Sequence, residues 1–492
     1  MASDADAHRL VMRGGGSAAL GYLIRFGARL LFLLIAARLF GAALFGAYSL
    51  AIAAVELAVA VGGLGMKRYL FQLLEERPVE RPPGHVLFDA AIMVAAASAL
   101  LASGLILIAL ALPAHLLAAN TAFALAIVAP MVAGQALLDL LLAASRWTQT
   151  MRVEVVARSL VEPYAAIAAA AAAYLLGFDQ AGLVISYWAG TLAALVYAAA
   201  GTRRRLGSLG IRFYRPSPRR LAAMTRDSFW PATTDLVGAL FARLDLYLVG
   251  AMLGEAPAGI YNMARQIRTP IRQVRQSFDG LLTPVLARTL ALRGPAEAGA
   301  AAASASRLIL AIQLPMVAGF VVIGQPLLDW LGPDFAAAYW PLVVLAGAET
   351  ILAAFGVGDL ILLYRRPALG LWVTLASIAV NLVAAWFLVG RFGLDGAAFS
   401  VLLAVGGGTL VRRILLRTSF GIAFPISGLA GPAAAMIAAT LATLALQAVL
   451  RLPPLWTTAI LLVAVLATYA AVLHLWHKAT GQSLKLVNLQ TD

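Results

Sequence analysis

The sequence predicts an all-α polytopic membrane protein of about 14 transmembrane helices, and three observations predict it. Of the 492 residues, 62% are hydrophobic and only 12% charged, a balance too apolar for a water-soluble domain. Apolar runs of about 20 residues, enough to cross a hydrocarbon layer of roughly 30 Å, recur along the whole chain. The basic residues between those runs alternate between crowded and nearly empty connections, as the positive-inside rule requires of a protein that crosses a membrane repeatedly.

The apolar runs cover residues 17–38, 45–66, 86–112, 119–143, 154–176, 181–201, 229–252, 259–287, 306–330, 340–363, 368–390, 394–411, 428–450 and 455–476. With the N-terminus cytoplasmic, the inner connections carry 25 lysines and arginines and the outer ones only Arg38, Arg391 and Arg451. This asymmetry places both termini in the cytoplasm and supports an even helix count. The N-terminal stretch lacks a small-residue cleavage site and is read as an uncleaved first span. Cysteine is absent, which removes disulfides, thiolate metal sites and a cysteine nucleophile. The net charge of +14 is mostly topological, so no nucleic-acid partner is implied. The basic stretch 202–227 reads as a solvated linker or as a surface helix at head-group level.

A pattern recurs inside the chain. Gly41, Gly46, Tyr48 and Ala51 match Gly254, Gly259, Tyr261 and Ala264, an offset of 213 residues. Each copy spans an outer turn and the start of the next helix, after helix one and after helix seven. An even number of helices separates them, so the halves read as parallel repeats about an axis along the membrane normal. The expected organisation is an N-terminal lobe at 1–201, a basic cytoplasmic linker at 202–227, a C-terminal lobe at 228–417, two additional helices within 418–477, and a cytoplasmic tail at 478–492. Two pseudo-twofold related six-helix lobes in a V follow, with Pro163, Pro270, Pro284 and the Gly406–Gly408 run as hinges.

The stretch ARLFGAALFGAYSLA resembles the opening pattern of bacterial polysaccharide and O-antigen flippases of the multidrug/oligosaccharidyl-lipid/polysaccharide exporter superfamily. Further matches are RLDLYLVGAMLGEAPAGIYNMARQI with Asp245, LLTPVLART with Pro284, LGPDFAAAY, and the turn RFGLDGAAFS with Gly393 and Gly396. The resemblance covers roughly residues 15–420 and implies a transporter of lipid-linked saccharide in a bacterial inner membrane, working beside other polysaccharide-assembly membrane proteins.

Helix eight carries the unusual chemistry. At about 100° per residue, Arg265, Arg268, Arg272 and Arg275 fall within one 80° arc that also holds Tyr261 and Asp279. Facing lipid, four arginines would cost about 10–14 kcal/mol at roughly 2.5–3.5 each. The stripe is therefore expected to face a water-filled cavity or protein partners. Arg25 and Arg29 share one face of helix one, and Arg243 lies on helix seven between Asp235 and Asp245. Excess arginine attracts anions and binds phosphate through charge-assisted bidentate hydrogen bonds. Arg265, Arg268, Arg272, Arg275, Arg25, Arg29, Arg243 and Tyr261 are thus the expected site for the diphosphate or acidic sugars of a lipid-linked anionic saccharide.

No cofactor or metal site is expected. Proton or sodium coupling would use acids within the membrane, with Asp245, Asp235, Asp279 and Glu56 as the first candidates and Asp89, Asp139, Glu162, Glu349 and Asp359 as further ones, and any of these acids can instead pair with a neighbouring arginine. Three rivals compete. A drug-extruding antiporter needs an acidic or aromatic cavity for organic cations, opposite in sign to the stripe. A lipid II flippase shares the helix count and a cationic cavity. A glycosyl ligase needs a sizeable outer loop with catalytic side chains, and PAHLLA, GFDQ, GEAPAG and GPDFAAAY are short. The expected protein is therefore a non-enzymatic flippase working by alternating access.

Overall fold

The computed structural model describes residues 26–76, 81–147, 151–206, 216–356, 362, 366–422, 429–449 and 454–480. Among the described residues the secondary structure is helical and no strand occurs. This is what a bilayer demands, because a spanning helix satisfies every backbone group within itself. In chain order the helices are α1 (residues 26–40), α2 (Gly41–Gly62), α3 (Met66–Glu75), α4 (Pro83–Ala111), α5 (Ala119–Val128), α6 (Met131–Trp147), α7 (residues 151–175) and α8 (Gly182–Leu206). Then follow α9 (Pro218–Asp227), α10 (Phe229–Leu253), α11 (Glu255–Ile267), α12 (Thr269–Leu292), α13 (Pro295–Leu331) and α14 (Tyr339–Gly356). The helical run Pro367–Phe420 is broken at Gly393 into α15 (367–392) and α16 (394–420), and α17 (Ala430–Val449) and α18 (Pro454–Thr480) end the described chain.

Among the described residues, ten helical runs are long and apolar enough to cross a membrane, and the α5–α6 pair, bent by 48°, supplies an eleventh. The bend falls at Pro130, which interrupts the helical hydrogen-bond ladder. Two of the ten, Phe26–Glu75 with 50 residues and Ala368–Phe420 with 53, are this long only because the first joins α1, α2 and α3 and the second joins two helices, and both carry a glycine of positive φ at a join: Gly41 at 74° and Gly393 at 55°. Only glycine adopts that conformation cheaply. The α11–α12 run is the one predicted span too rich in arginine to pass as apolar. Every one of the fourteen predicted stretches lies on helix among the described residues, so the chain is a multi-pass membrane protein. Of the predicted hinges, Pro270 sits at the α11–α12 break and Pro163 follows a π-helical turn at Ala157–Val161. Gly406–Gly408 lie in unbroken helix, and the Pro284 side chain lies outside the described residues.

The chain divides into two compact units, Met1–Gly259 and Ile260–Asp492, with the boundary inside α11. In the first, α3 and α9 are short amphipathic helices whose Met66, Leu70, Leu74 and Met224 join α4 and α6 in one core cluster. The second half of the basic 202–227 stretch is thus a docked helix. In the second unit, α17 and α18 pack against α13 through Leu310 and Leu314 with Ala435, Ala439, Tyr469 and Leu473.

The repeated motif explains itself in the first unit. Its first glycines, Gly41 and Gly254, share one conformation, φ 74°, ψ 176° and φ 96°, ψ −172°. Its second glycines meet backbone to backbone. A β-carbon at Gly46 would lie 1.8 Å from the carbonyl oxygen of Glu255, and one at Gly259 would lie 2.2 Å from that of Ala42. Each second glycine therefore meets the residue that follows the first glycine of the other copy. Gly46→Val is expected to cost about 1–3 kcal/mol or more, the range for overpacking. Gly104→Ala, in open space on α4, is expected to be neutral or to gain up to about 1 kcal/mol from lost unfolded-state freedom. Thermal unfolding of the two detergent-solubilised variants checks this contrast.

Candidate functional site

The arginine stripe packs in the second unit against one face of α14. Arg268 takes the turn between α11 and α12, where Pro270 cannot donate to the helix ladder. Its Nη1 donates to Glu349 Oε1 at 2.9 Å and to the Leu345 carbonyl at 3.4 Å. Arg272 donates Nε and Nη2 to the same Glu349 oxygen at 2.8 and 2.7 Å. Arg275 donates to the carbonyls of Leu352 at 3.3 Å and Gly356 at 3.2 Å. The partners at 345, 349, 352 and 356 form one helical face at i, i+4, i+7 and i+11. Partner numbers rise with stripe numbers, so α12 and α14 run in the same direction.

Each contact has a physical cause. Helix carbonyls point their negative ends toward the C-terminus, so a guanidinium that donates to those of Leu352 and Gly356 meets them favourably. Glu349 is buried, and a buried carboxylate persists only when paired and hydrogen-bonded. Arg265, 7% exposed, donates to Asn262 Oδ1 at 3.5 Å, and Arg268 is 5% exposed. Arg272 keeps 38% of its side chain exposed. Tyr261 is fully buried. The Asp279 side chain and Arg25 lie outside the described residues. Glu349 thus binds two of the four guanidinium groups, Arg268 and Arg272, and Arg275 binds carbonyls of the same helix.

The remaining predicted residues lie in the first unit. Arg243 pairs with Glu56 of α2, and not with either neighbouring aspartate. Asp245 is buried and accepts the Leu246 amide at 2.9 Å. Asp235 is buried between Lys67 at 3.3 Å and Arg68 at 3.0 Å, both from the start of α3. A cavity of about 380 Å³ opens here, with Glu56, Lys67, Arg68, Asp139 and Asp235 on its wall. Arg158 pairs with Asp139 and, at 2.9 Å, with Glu162 one turn along α7. Arg29 and Glu56 share a second cavity with Arg158 and Glu162. No cluster of metal-ligating side chains occurs among the described residues.

Sequence reasoning placed the stripe on one face but missed Glu349 as its counter-ion. The i, i+4 spacing of Arg158 and Glu162 was a readable signal for the second cluster. The clasp of Lys67 and Arg68 on Asp235 joins residues far apart in sequence, and no local pattern announces it.

Residues 11–290 match the family described as polysaccharide biosynthesis protein. Over 254 residues, 51% of this chain, the sequence is 22% identical to the probable low-salt glycan biosynthesis flippase Agl15 of Haloferax volcanii. That match covers 52% of the relative, so the chain spans about half the length of the curated protein it matches. The fold is similar to that of the lipid II flippase MurJ in its inward closed conformation, with a TM-score of 0.75 and 14% identity over 94% of this chain and 100% of that one. It is also similar to an inward-facing multidrug resistance MATE family transporter of the MOP superfamily, with a TM-score of 0.65 and 13% identity over 82% and 94% of the two chains.

Replacing Glu349 by Gln leaves two guanidinium groups with a neutral acceptor inside the second unit. The expected loss is about 3 kcal/mol, the lower end of the cost of breaking a buried ion pair from one side. Arg272→Gln, at a half-exposed position, is expected to cost less. Thermal unfolding of both variants ranks them, and equal losses would contradict the pairing described.

Proposed function

The chain belongs to the polysaccharide biosynthesis protein family, of which residues 11–290 carry the match, and on that premise we propose that it is a flippase. It moves a polyprenyl-diphosphate-linked oligosaccharide from the cytoplasmic to the outer leaflet of a bacterial inner membrane, by alternating access and without covalent chemistry. Both termini are cytoplasmic in this reading. The observation that carries it is the arginine face of α11 and α12, where Arg268 and Arg272 share the Glu349 carboxylate and Arg275 donates to carbonyls of the same helix.

Such a face is the wrong sign for an organic cation and the right one for a diphosphate. Glu349 serves it in two ways. It keeps Arg268 and Arg272 oriented while no substrate is present, and a diphosphate bearing more charge competes with it for the same donors. Guanidinium suits this exchange because its planar fork bonds two oxygens of either partner. Arg272, with the most exposed side chain of the pair, makes the first contact. Arg29 and Arg243, which lie in the first unit, are assigned to anion contacts of their own in this reading.

Coupling to a proton or sodium gradient is assigned to Asp235, Asp245, Asp279 and Glu56. Asp235 and Glu56 have the more direct support, since both line the 380 Å³ cavity and both are held by basic side chains. A bound cation or proton would loosen those pairs, which is how ion binding changes the balance between two conformations.

A second reading, flipping of the lipid II peptidoglycan precursor, is favoured by the fold similarity to a lipid II flippase over 94% of this chain. Rescue of cells depleted of their own lipid II flippase would support it, and failure of rescue by correctly inserted protein would remove it.

The test is flipping of a fluorescent polyprenyl-diphosphate oligosaccharide in proteoliposomes. The double variant Arg272→Gln, Glu349→Gln removes one charge of each sign, so it tests transport without adding net charge to the interior. Transport is expected to fall at least about tenfold, the ratio that 1.4 kcal/mol of lost transition-state or binding energy produces. Full activity in a correctly folded variant would reduce this face to a structural element. Transport by the native chain that is indifferent to imposed proton and sodium gradients would dismiss the coupling assignment.

A further inference from the structure

The second cavity of the first unit, about 230 Å³, differs in kind from the arginine face. Its wall carries three aromatic rings, Phe32, Tyr48 and Tyr187. Phe32 and Tyr48 are tilted by 52° with centroids 6.3 Å apart, so they form two sides of a corner and not a closed stack. Around the rings stand Glu56, Glu162, Arg29 and Arg158, two acids and two bases. The wall is therefore close to neutral.

Two features show that this wall is built. Arg158 is aimed by the π-helical turn Ala157–Val161, an irregularity that inserts a residue into the helix and recurs at functional sites. Its guanidinium is then fixed by Asp139, by Glu162 at 2.9 Å, and by the Gln135 amide oxygen at 2.7 and 3.2 Å in the orientation that satisfies both groups. The motif tyrosines also part company. Tyr261 is fully buried, while its counterpart Tyr48 is half-buried and faces the cavity.

A neutral wall of aromatic rings, carboxylates and guanidinium groups suits a polyol. A sugar ring has an apolar C–H face that stacks on an aromatic ring and a hydroxyl rim that planar, forked side chains bond two at a time. The volume lies below the roughly 300 Å³ at which pockets for drug-sized ligands begin, so it fits one or two sugar units and not a whole oligosaccharide.

We propose that the cavity bounded by Phe32, Tyr48, Tyr187, Glu162 and Arg158 is a saccharide subsite for neutral sugar units of the lipid-linked substrate. This rests on the flippase reading above. The diphosphate and the sugar are then recognised by different chemistry, the first by positive charge and the second by stacking and paired hydrogen bonds.

The experiment measures binding of two probes to the full-length protein in detergent: bare polyprenyl diphosphate, and polyprenyl diphosphate carrying one neutral N-acetylhexosamine. The native chain is expected to bind the glycosylated probe at least about tenfold more tightly. Tyr48→Ala and Tyr187→Ala are expected to abolish that difference and leave the affinity for the bare lipid within about twofold, while Tyr48→Trp, which keeps a stacking face, retains it. Should Tyr48→Ala fail to fold, Glu162→Gln tests the same wall through its hydrogen bonds. Binding of the bare lipid with no gain from the sugar, or a gain untouched by the variants, overturns the subsite and leaves the flippase reading standing. Binding of neither probe overturns both.

Discussion

The pairing of Glu349 with Arg268 and Arg272 is the constraint on which the second unit depends. Within a membrane an unpaired charge costs more than almost any packing term can return. A single carboxylate on α14 therefore decides which face α12 presents to it and in what register. The other contacts follow from that choice. With Glu349 opposite residues 268 and 272, Arg275 arrives further along α14, at the carbonyls of Leu352 and Gly356. Gly356 lets it come close, since a β-carbon there would sit 2.8 Å from Arg275 Nη1.

That arrangement holds its guanidinium groups with two kinds of acceptor. Arg268 and Arg272 share the Glu349 carboxylate, and Arg268 and Arg275 also donate to backbone carbonyls, whose dipoles orient a guanidinium without adding a formal negative charge. The first unit relies on carboxylates. Arg158 has two carboxylates and an amide within reach, and Arg243 has Glu56, so its cavities are polar and close to neutral.

Most of the fold was legible because the bilayer enforces it. Length, hydropathy and the uneven distribution of basic residues each reflect a cost paid by every spanning helix, and the predicted stretches fall on helix for that reason. Pro130 was passed over because a proline within an apolar run reads as a bend or as nothing. Gly406–Gly408 misled because glycine permits a hinge without requiring one. The stripe was legible from its spacing, since arginines at 265, 268, 272 and 275 share a face by geometry alone. Its counter-ion was not, because Glu349 lies 77 residues from Arg272 and a helical period carries no information about which other helix lies alongside. The clasp on Asp235 was hidden for the same reason.

The repeated motif separates what the fold needs from what a site needs. Both copies keep the two glycines, one for a backbone conformation that costs other residues dearly and one for contact between backbones that leaves no room for a side chain. Those demands are set by geometry, so they apply equally to both copies. Tyrosine has no such geometric necessity. At 261 it is fully buried in the core. At 48 it turns a phenol toward a cavity beside Glu56, Glu162 and Arg158, where only its exposed ring and hydroxyl distinguish it from phenylalanine or leucine. A residue kept where packing does not demand it is best explained by something that enters the cavity, and a ring edged with hydrogen-bonding groups is what a sugar can use.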